Sequence, residues 1–263
     1  MPLDAFSYNK THSLNAALHT PISQRSRCNE TMDAIKTYII RARLAPGDVL
    51  PTETQLCDVL GASRSSIREA IRKLEALNIL HVEHGKGTFV GSFSLNPMVE
   101  TLTMRSMLSI DDNYKDLRNV VELRKFLDLG YAEAICTSIQ GTKQPELVAL
   151  ADRMEQLADQ QETFLQEDIA FHTGLLKSIN NPVAEQLVHG LWLVHMAVIP
   201  ELDLRNIPAL HQTAQAHRLM LETTINGDID GYREAVLAHY APLESILDQH
   251  FEVSNNADID IAL

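Results

Sequence analysis

The chain carries two hydrophobic rhythms that change over at specific residues. From about Asn29 to Arg43, Met32, Ile35, Ile39 and Ile40 recur at helical spacing and predict a helix with one apolar face. "LAPGDVLPT", residues 44–52, ends it with prolines and a glycine. Thr52 with Gln55 has the form of a capping box, opening a short helix over 53–60 that Gly61 closes. Ser63 is then the N-cap of a third helix, in which Ile67, Ile71, Leu74 and Leu77 fall at i, i+4, i+7 and i+10. After Asn78 the period drops to two: "ILHVE" alternates, "HGKG" turns and "TFV" alternates again, which predicts a small β-hairpin. Three helices followed by a hairpin make a winged helix-turn-helix.

Beyond "GSFSLNP" the pattern is helical to the end. It predicts helices over 97–109, 114–140, 144–161, 163–180, 182–199, 209–226 and 229–250. Pro145, Pro182 and Pro208 stand near helix starts, where a missing N–H costs nothing, and "NGD" at 226–228 parts the last two. The expected fold is mainly α: a winged helix-turn-helix with a small β-hairpin, then an all-helical bundle. The expected division is a flexible arm over 1–28, a DNA-binding domain over 29–92, a linker and first helix over 93–112, a helical domain over 113–252 and a flexible tail over 253–263.

Charge sharpens this division. The net charge is −13, made of +2 over residues 1–28, zero over 29–92 and −15 over 93–263. An acidic body repels nucleic acid, so DNA binding has to come from a locally basic face of the first third. The third helix supplies one, because Arg64, Arg68 and Arg72, spaced by four, form a stripe beside the apolar one. Arginine can grip guanine O6 and N7 bidentately or bind phosphate, and Ser65 and Ser66 near the helix start suit phosphates. An ordinary solvated face gives the same spacing. Cys28, Cys57 and Cys136 are odd in number and widely spaced, which argues for a reducing cytoplasm rather than a disulfide framework. No run of about 18 apolar residues occurs, and the first residues lack the pattern of a signal peptide, so no membrane role is expected.

Eleven histidines raise the question of which converge. Asp168 and His172 are at i, i+4 on one helix, and His217 and His239 lie on two helices joined by the "NGD" turn, which an antiparallel pair brings to similar heights. One carboxylate and three imidazoles suit Zn²⁺, Ni²⁺ or Mn²⁺. The bland alternative is that each is a satisfied core or surface side chain, and His195, on a very apolar helix, reads as packing or pocket lining.

"LAPGDVLPTETQLCDVLGASRSSIREAIRKLEALNILHVEHGKGTFV" resembles the N-terminal domain of GntR-family bacterial transcriptional regulators, with their Leu-Pro-(Ser/Thr)-Glu, (Ser/Thr)-Arg-x-(Ser/Thr)-(Leu/Ile)-Arg-Glu-Ala and Gly-x-Gly-Thr-Phe-Val patterns. The resemblance implies a homodimer on a palindromic operator. It places Arg64 and Arg68 as base- or phosphate-contacting residues, and Gly85 with Lys86 at the wing tip. Thr54 stands where many members have a phosphate-contacting arginine, leaving only a hydroxyl. "EDIAFHTGLLKSINNPV" and "HRLMLETTINGDIDGYREAVLAHYAPL" resemble the FCD ligand-binding domain of the FadR subgroup. There the Asp and three His hold a divalent metal, which in turn holds the carboxylate of a small organic acid; Ala216 departs from the Glu that usually precedes the histidine. "VVELRKFLDLGYAE" resembles that domain's first long helix, so Arg124 either grips the effector carboxylate or pairs with Asp128 at i, i+4. Asn181 is either a pocket residue or the cap of the next helix.

The expected protein is a cytoplasmic repressor answering to a sugar acid, hydroxy acid or dicarboxylate. A metal-dependent enzyme built on the same bundle is the alternative, but no acid or base with a distinctive spacing supports it.

Overall fold

A computed structural model describes residues 24–109, 114–198 and 207–260. The chain divides after Phe93 into two units. In the first, helices α1 (Gln24–Ala42), α2 (Glu53–Leu60) and α3 (Arg64–Ala76) precede strands β1 (Leu80–Glu83) and β2 (Gly87–Val90). The strands pair antiparallel, Leu80 opposite Val90 and Glu83 opposite Gly87, and Val49 bridges to Phe89 along the outer edge.

Local chemistry explains these boundaries. Thr52 and Gln55 form the capping box, Gly61 takes the left-handed conformation at the end of α2 with φ 63°, and the Ser63 hydroxyl accepts from the Ser66 N–H at 3.2 Å. Ile35, Ile39, Leu56, Ile67, Ile71, Leu74, Leu80 and Val90 then close one core. Two expected core residues lie outside it. Ile40 is 75% exposed on the far side of α1, and Leu77 is 49% exposed because α3 has already ended at Ala76.

The expected arm over 1–28 is also corrected at its end. α1 starts at Gln24, where no glycine or proline intervenes, and Cys28 is buried. Residues 1–23 lie outside the described residues.

Gly91 turns the chain away from β2 under the backbone of Asn78, whose carbonyl accepts from Phe93 N–H at 3.0 Å. A Cβ at Gly91 would sit 2.3 Å from that carbonyl oxygen, and backbone cannot yield as a side chain would. Gly91→Ala is therefore expected to destabilise this unit by about 1–3 kcal/mol, read as a lower midpoint in denaturant titration with an unchanged slope.

The second unit is helical: α4 (Asn96–Leu108), α5 (Lys115–Gly130), α6 (Ala132–Ile139), α7 (Pro145–Asp159), α8 (Leu165–Lys177), α9 (Pro182–Val198), α10 (Ile207–Asn226) and α11 (Ile229–Asp260). The single helix expected over 114–140 is bent at Tyr131, directly after Gly130, the residue least suited to a helix interior. α11 runs on to Asp260, where the expectation placed a flexible tail from 253. α10 and α11 meet at Gly227, with φ 71°, and the Asp228 carboxylate caps α11 by accepting from Gly231 N–H at 2.9 Å. Phe171, Leu175, Met220, Tyr232, Val236 and Tyr240 fill the centre of the bundle. On α9, Leu191 and Val194 pack with Val99 of α4 and Val120 of α5, while Trp192 and His195 meet Arg124 of α5.

Candidate functional site

In the first unit, Arg64, Arg68 and Arg72 stand exposed along α3, as their spacing requires. Arg68 is not idle: its Nε donates to Glu53 Oε2 at 2.7 Å, tying α3 to the first turn of α2. Its side chain is still 59% exposed. The bond occupies one edge of the guanidinium and leaves donors on the other nitrogens for a ligand. The sequence reading missed Glu53 as this orienting partner, although it is the glutamate of the Leu-Pro-Thr-Glu pattern. Arg64 and Arg72 have no ion-pair partner among the described residues, while Lys73 pairs with Glu69 at 3.0 Å. Ser65 is exposed and Ser66 half-buried, their hydroxyls each 2.9 Å from that of Ser63. Thr54 is exposed on the first turn of α2. At the wing tip Gly85 has φ 79°, and Lys86 reaches back to Glu83 at 2.7 Å.

In the second unit the structure brings Asp168, His172, His217 and His239 together from α8, α10 and α11, all buried, with one ligand atom from each within 4.8 Å of the others. Asp168 Oδ1 is 3.3 Å from His172 Nε2 and 3.2 Å from His217 Nε2, and His172 Nε2 is 3.3 Å from His239 Nε2. Four ligands placed tetrahedrally at about 2.1 Å from one ion stand about 3.4 Å apart, so the spacing fits a cation.

His217 Nδ1 is bonded to the Thr213 carbonyl at 2.8 Å, which can only accept, so Nδ1 carries a hydrogen. Its Nε2 faces Asp168 Oδ1, a contact that either a second ring proton or a bound cation satisfies. His172 lies between two carboxylates, with Nδ1 3.3 Å from Asp128 Oδ2. Burial would lower its pKa, but Asp128 and Asp168 outweigh burial and raise it to about 9. Burial would likewise raise the Asp168 carboxyl, yet His217 and His172 hold it well below the usual range. Burial and the neighbouring His217 push His239 far down.

Asp128 is the residue that spacing alone did not assign. No ion pair joins it to Arg124, contrary to the salt-bridge alternative; it accepts from Tyr240 Oη at 2.7 Å and faces His172 instead. Arg124 is buried between the rings of Trp192 and Tyr240, 4.7 and 5.5 Å from their centroids, and its Nη1 is 2.6 Å from His195 Nδ1. Burial and Arg124 push His195 down to about 3, so its ring is neutral.

Beside the cluster lies a cavity of about 100 Å³. Arg124, Asp168, His195, His239 and Tyr240, with Thr163 and Thr213, form its polar lining; Phe164, Leu210, Leu243 and Ile246 are among the apolar lining. Asn181 is not among the residues lining it. Asn181 Oδ1 accepts from Ala184 N–H at 3.1 Å, so it caps α9, which corrects its assignment as an effector residue.

The fold and these two sites define a transcription regulator, with a DNA-binding module joined in one chain to a helical sensor-type bundle. Residues 28–90 match the bacterial regulatory proteins of the gntR family, and residues 119–242 match the FCD domain. The chain belongs to the GntR family, with an FCD domain as its second module, and it is a regulator rather than an enzyme.

Among relatives, the galactonate operon transcriptional repressor of Escherichia coli is 24% identical over 77% of this chain and 89% of its own. The putative L-lactate dehydrogenase operon regulatory protein of the same organism is 27% identical over 82% and 84% respectively. The solved structure of a GntR protein from Streptococcus agalactiae has the same fold, with a TM-score of 0.60 and 24% identity, covering 82% of this chain and 98% of that one.

Proposed function

We propose that the protein is a repressor that binds a palindromic operator as a homodimer and answers to a small carboxylate metabolite held beside a divalent ion. The observation that carries the ion is the convergence of Asp168, His172, His217 and His239 in a buried site, with one ligand atom from each within 4.8 Å of the others. Zn²⁺ suits three imidazoles and one carboxylate best, with Ni²⁺ and Mn²⁺ as the alternatives. Asp168, His172, His217 and His239 would hold the ion, which supplies a Lewis-acidic position for a ligand oxygen. Arg124 stands in the same cavity as a buried guanidinium suited to the rest of the carboxylate. The names of two relatives, which refer to galactonate and L-lactate, support an organic acid. Sugar acids, hydroxy acids and dicarboxylates all meet these requirements.

On the DNA side, Arg64, Arg68 and Arg72 with Ser65 and Ser66 would face the major groove, and Thr54, Gly85 and Lys86 the flanking phosphates. Leu123 and Phe126 on α5, with Met104 and Leu108 on α4, are exposed apolar residues that self-association would cover. A regulator that binds an operator works where the DNA is, which supports a cytoplasmic place; among the described residues no helix is long and apolar enough to cross a membrane.

The test is metal analysis of the purified full chain, followed by operator binding and thermal shift with a panel of small carboxylic acids, with and without chelator. Stoichiometric metal and a stabilising acid that alters operator binding uphold the reading; a metal-free chain, or acids without effect, overturns it. Asp128→Asn is expected to weaken metal binding about 10- to 100-fold in chelator competition, because His172 loses the partner that orients its ring.

A further inference from the structure

His195 lines the cavity but belongs neither to the four-residue cluster nor to any role given above. Its Nδ1 lies 2.6 Å from Arg124 Nη1. A guanidinium can only donate, so Nδ1 accepts, and the neutral ring carries its single hydrogen on Nε2. A second proton would set an imidazolium against Arg124. Arg124 is itself confined between Trp192 and Tyr240, so the tautomer is fixed by packing. The ring is 6% exposed, yet Nε2 has no hydrogen-bond partner. A buried donor without an acceptor is costly, and here it belongs to a residue on the wall of a cavity.

Charge narrows what can fill the cavity. With a divalent ion among Asp168, His172, His217 and His239, the other buried charges around the site among the described residues are Arg124, Asp128 and Asp168. The two carboxylates offset the ion and Arg124 is left over, so one carboxylate neutralises the site and two would bury an unpaired negative charge. Two residues on the cavity wall then have an unpartnered ring nitrogen, His195 (Nε2) and His239 (Nδ1); His195 is the one outside the ion site, and its uncharged Nε2–H matches an uncharged oxygen.

We infer that His195 is a specificity-determining residue whose Nε2–H selects a monocarboxylate bearing a hydroxyl or carbonyl oxygen, in preference to an unsubstituted acid or a dicarboxylate. The inference rests on the ion and carboxylate reading above.

The experiment uses the full chain loaded with Zn²⁺ and measures calorimetric affinity for 2-hydroxypropanoate, gluconate, propanoate and butanedioate. Wild type is expected to bind at least one of the two hydroxy acids about tenfold more tightly than propanoate, the effect of one hydrogen bond. His195→Leu should keep its metal and bind that hydroxy acid and propanoate alike. His195→Gln, which restores an N–H, should recover part of the preference. A leucine variant that keeps the wild-type preference, or butanedioate binding more tightly than both hydroxy acids, overturns the inference. Loss of metal from His195→Leu also overturns it, by making the residue part of the ion site. If no acid binds the metal-loaded wild type, the effector reading itself fails.

Discussion

Replacing His217 and His239 together with alanine is expected to reduce the metal content of the purified protein from about one equivalent per chain to background. Two of four ligands are gone, and what remains, Asp168 and His172, is an i, i+4 pair that bonds to itself at 3.3 Å. Any thermal stabilisation by added Zn²⁺ should vanish with them, and so should stabilisation by an acid held through the ion. Because His217 also contacts Asp168, the double variant removes a partner from a buried charge and can lose stability for that reason alone. His239→Ala separates the two effects: its Nε2 bonds only His172 and its Nδ1 has no partner, so Asp168 keeps both its contacts. That variant should stay folded by circular dichroism and lose more affinity than the about 10- to 100-fold that an outer partner is worth. Retention of wild-type metal content in both variants would sink the assignment.

The second large effect is expected on DNA. With an operator selected from random-sequence DNA by the wild-type protein, Arg64→Ala and Arg68→Ala should each weaken binding about ten- to a hundredfold if the side chain reads a base edge. Preference at one base pair should relax at the same time. Arg72→Ala, if it meets a phosphate, should instead weaken all sequences alike and lower the salt-dependence slope by about one. Fluorescence anisotropy over a range of salt concentrations distinguishes the two. Arg68 carries an added feature, since Glu53 holds its Nε at 2.7 Å and presents the rest of the guanidinium. Unchanged affinity in both Arg64→Ala and Arg68→Ala would remove α3 as the reading element.

The caps and faces of the first unit were legible because they are local. Thr52 with Gln55, Gly61 and Ser63 act within four residues of themselves, and the 3.6-residue period assigns Ile67, Ile71 and Leu74 to the core. Where the period was extended past its helix it failed: Leu77 follows the last residue of α3 and is exposed. The same limit applies at Tyr131, where Gly130 bends a run that the apolar pattern carries through. Asp168 and His172 could be paired from spacing, and His217 with His239 from one tight turn.

By itself, then, the sequence determined which residues could be ligands, which helix carries the basic stripe and where α2 and α3 are capped, since all of these depend on short-range periodicity and side-chain chemistry. The tertiary structure alone decided that Asp128 serves His172 and Tyr240 rather than Arg124, and that Arg124 fixes the tautomer of His195. It also placed Asn181 outside the cavity lining, although its cap on Ala184 N–H is local and was one of the two sequence readings. The contacts of Asp128 and Arg124 join α5 to α8, α9 and α11. No helical period relates residues so far apart in the chain; only the packing of the bundle brings them within hydrogen-bonding distance.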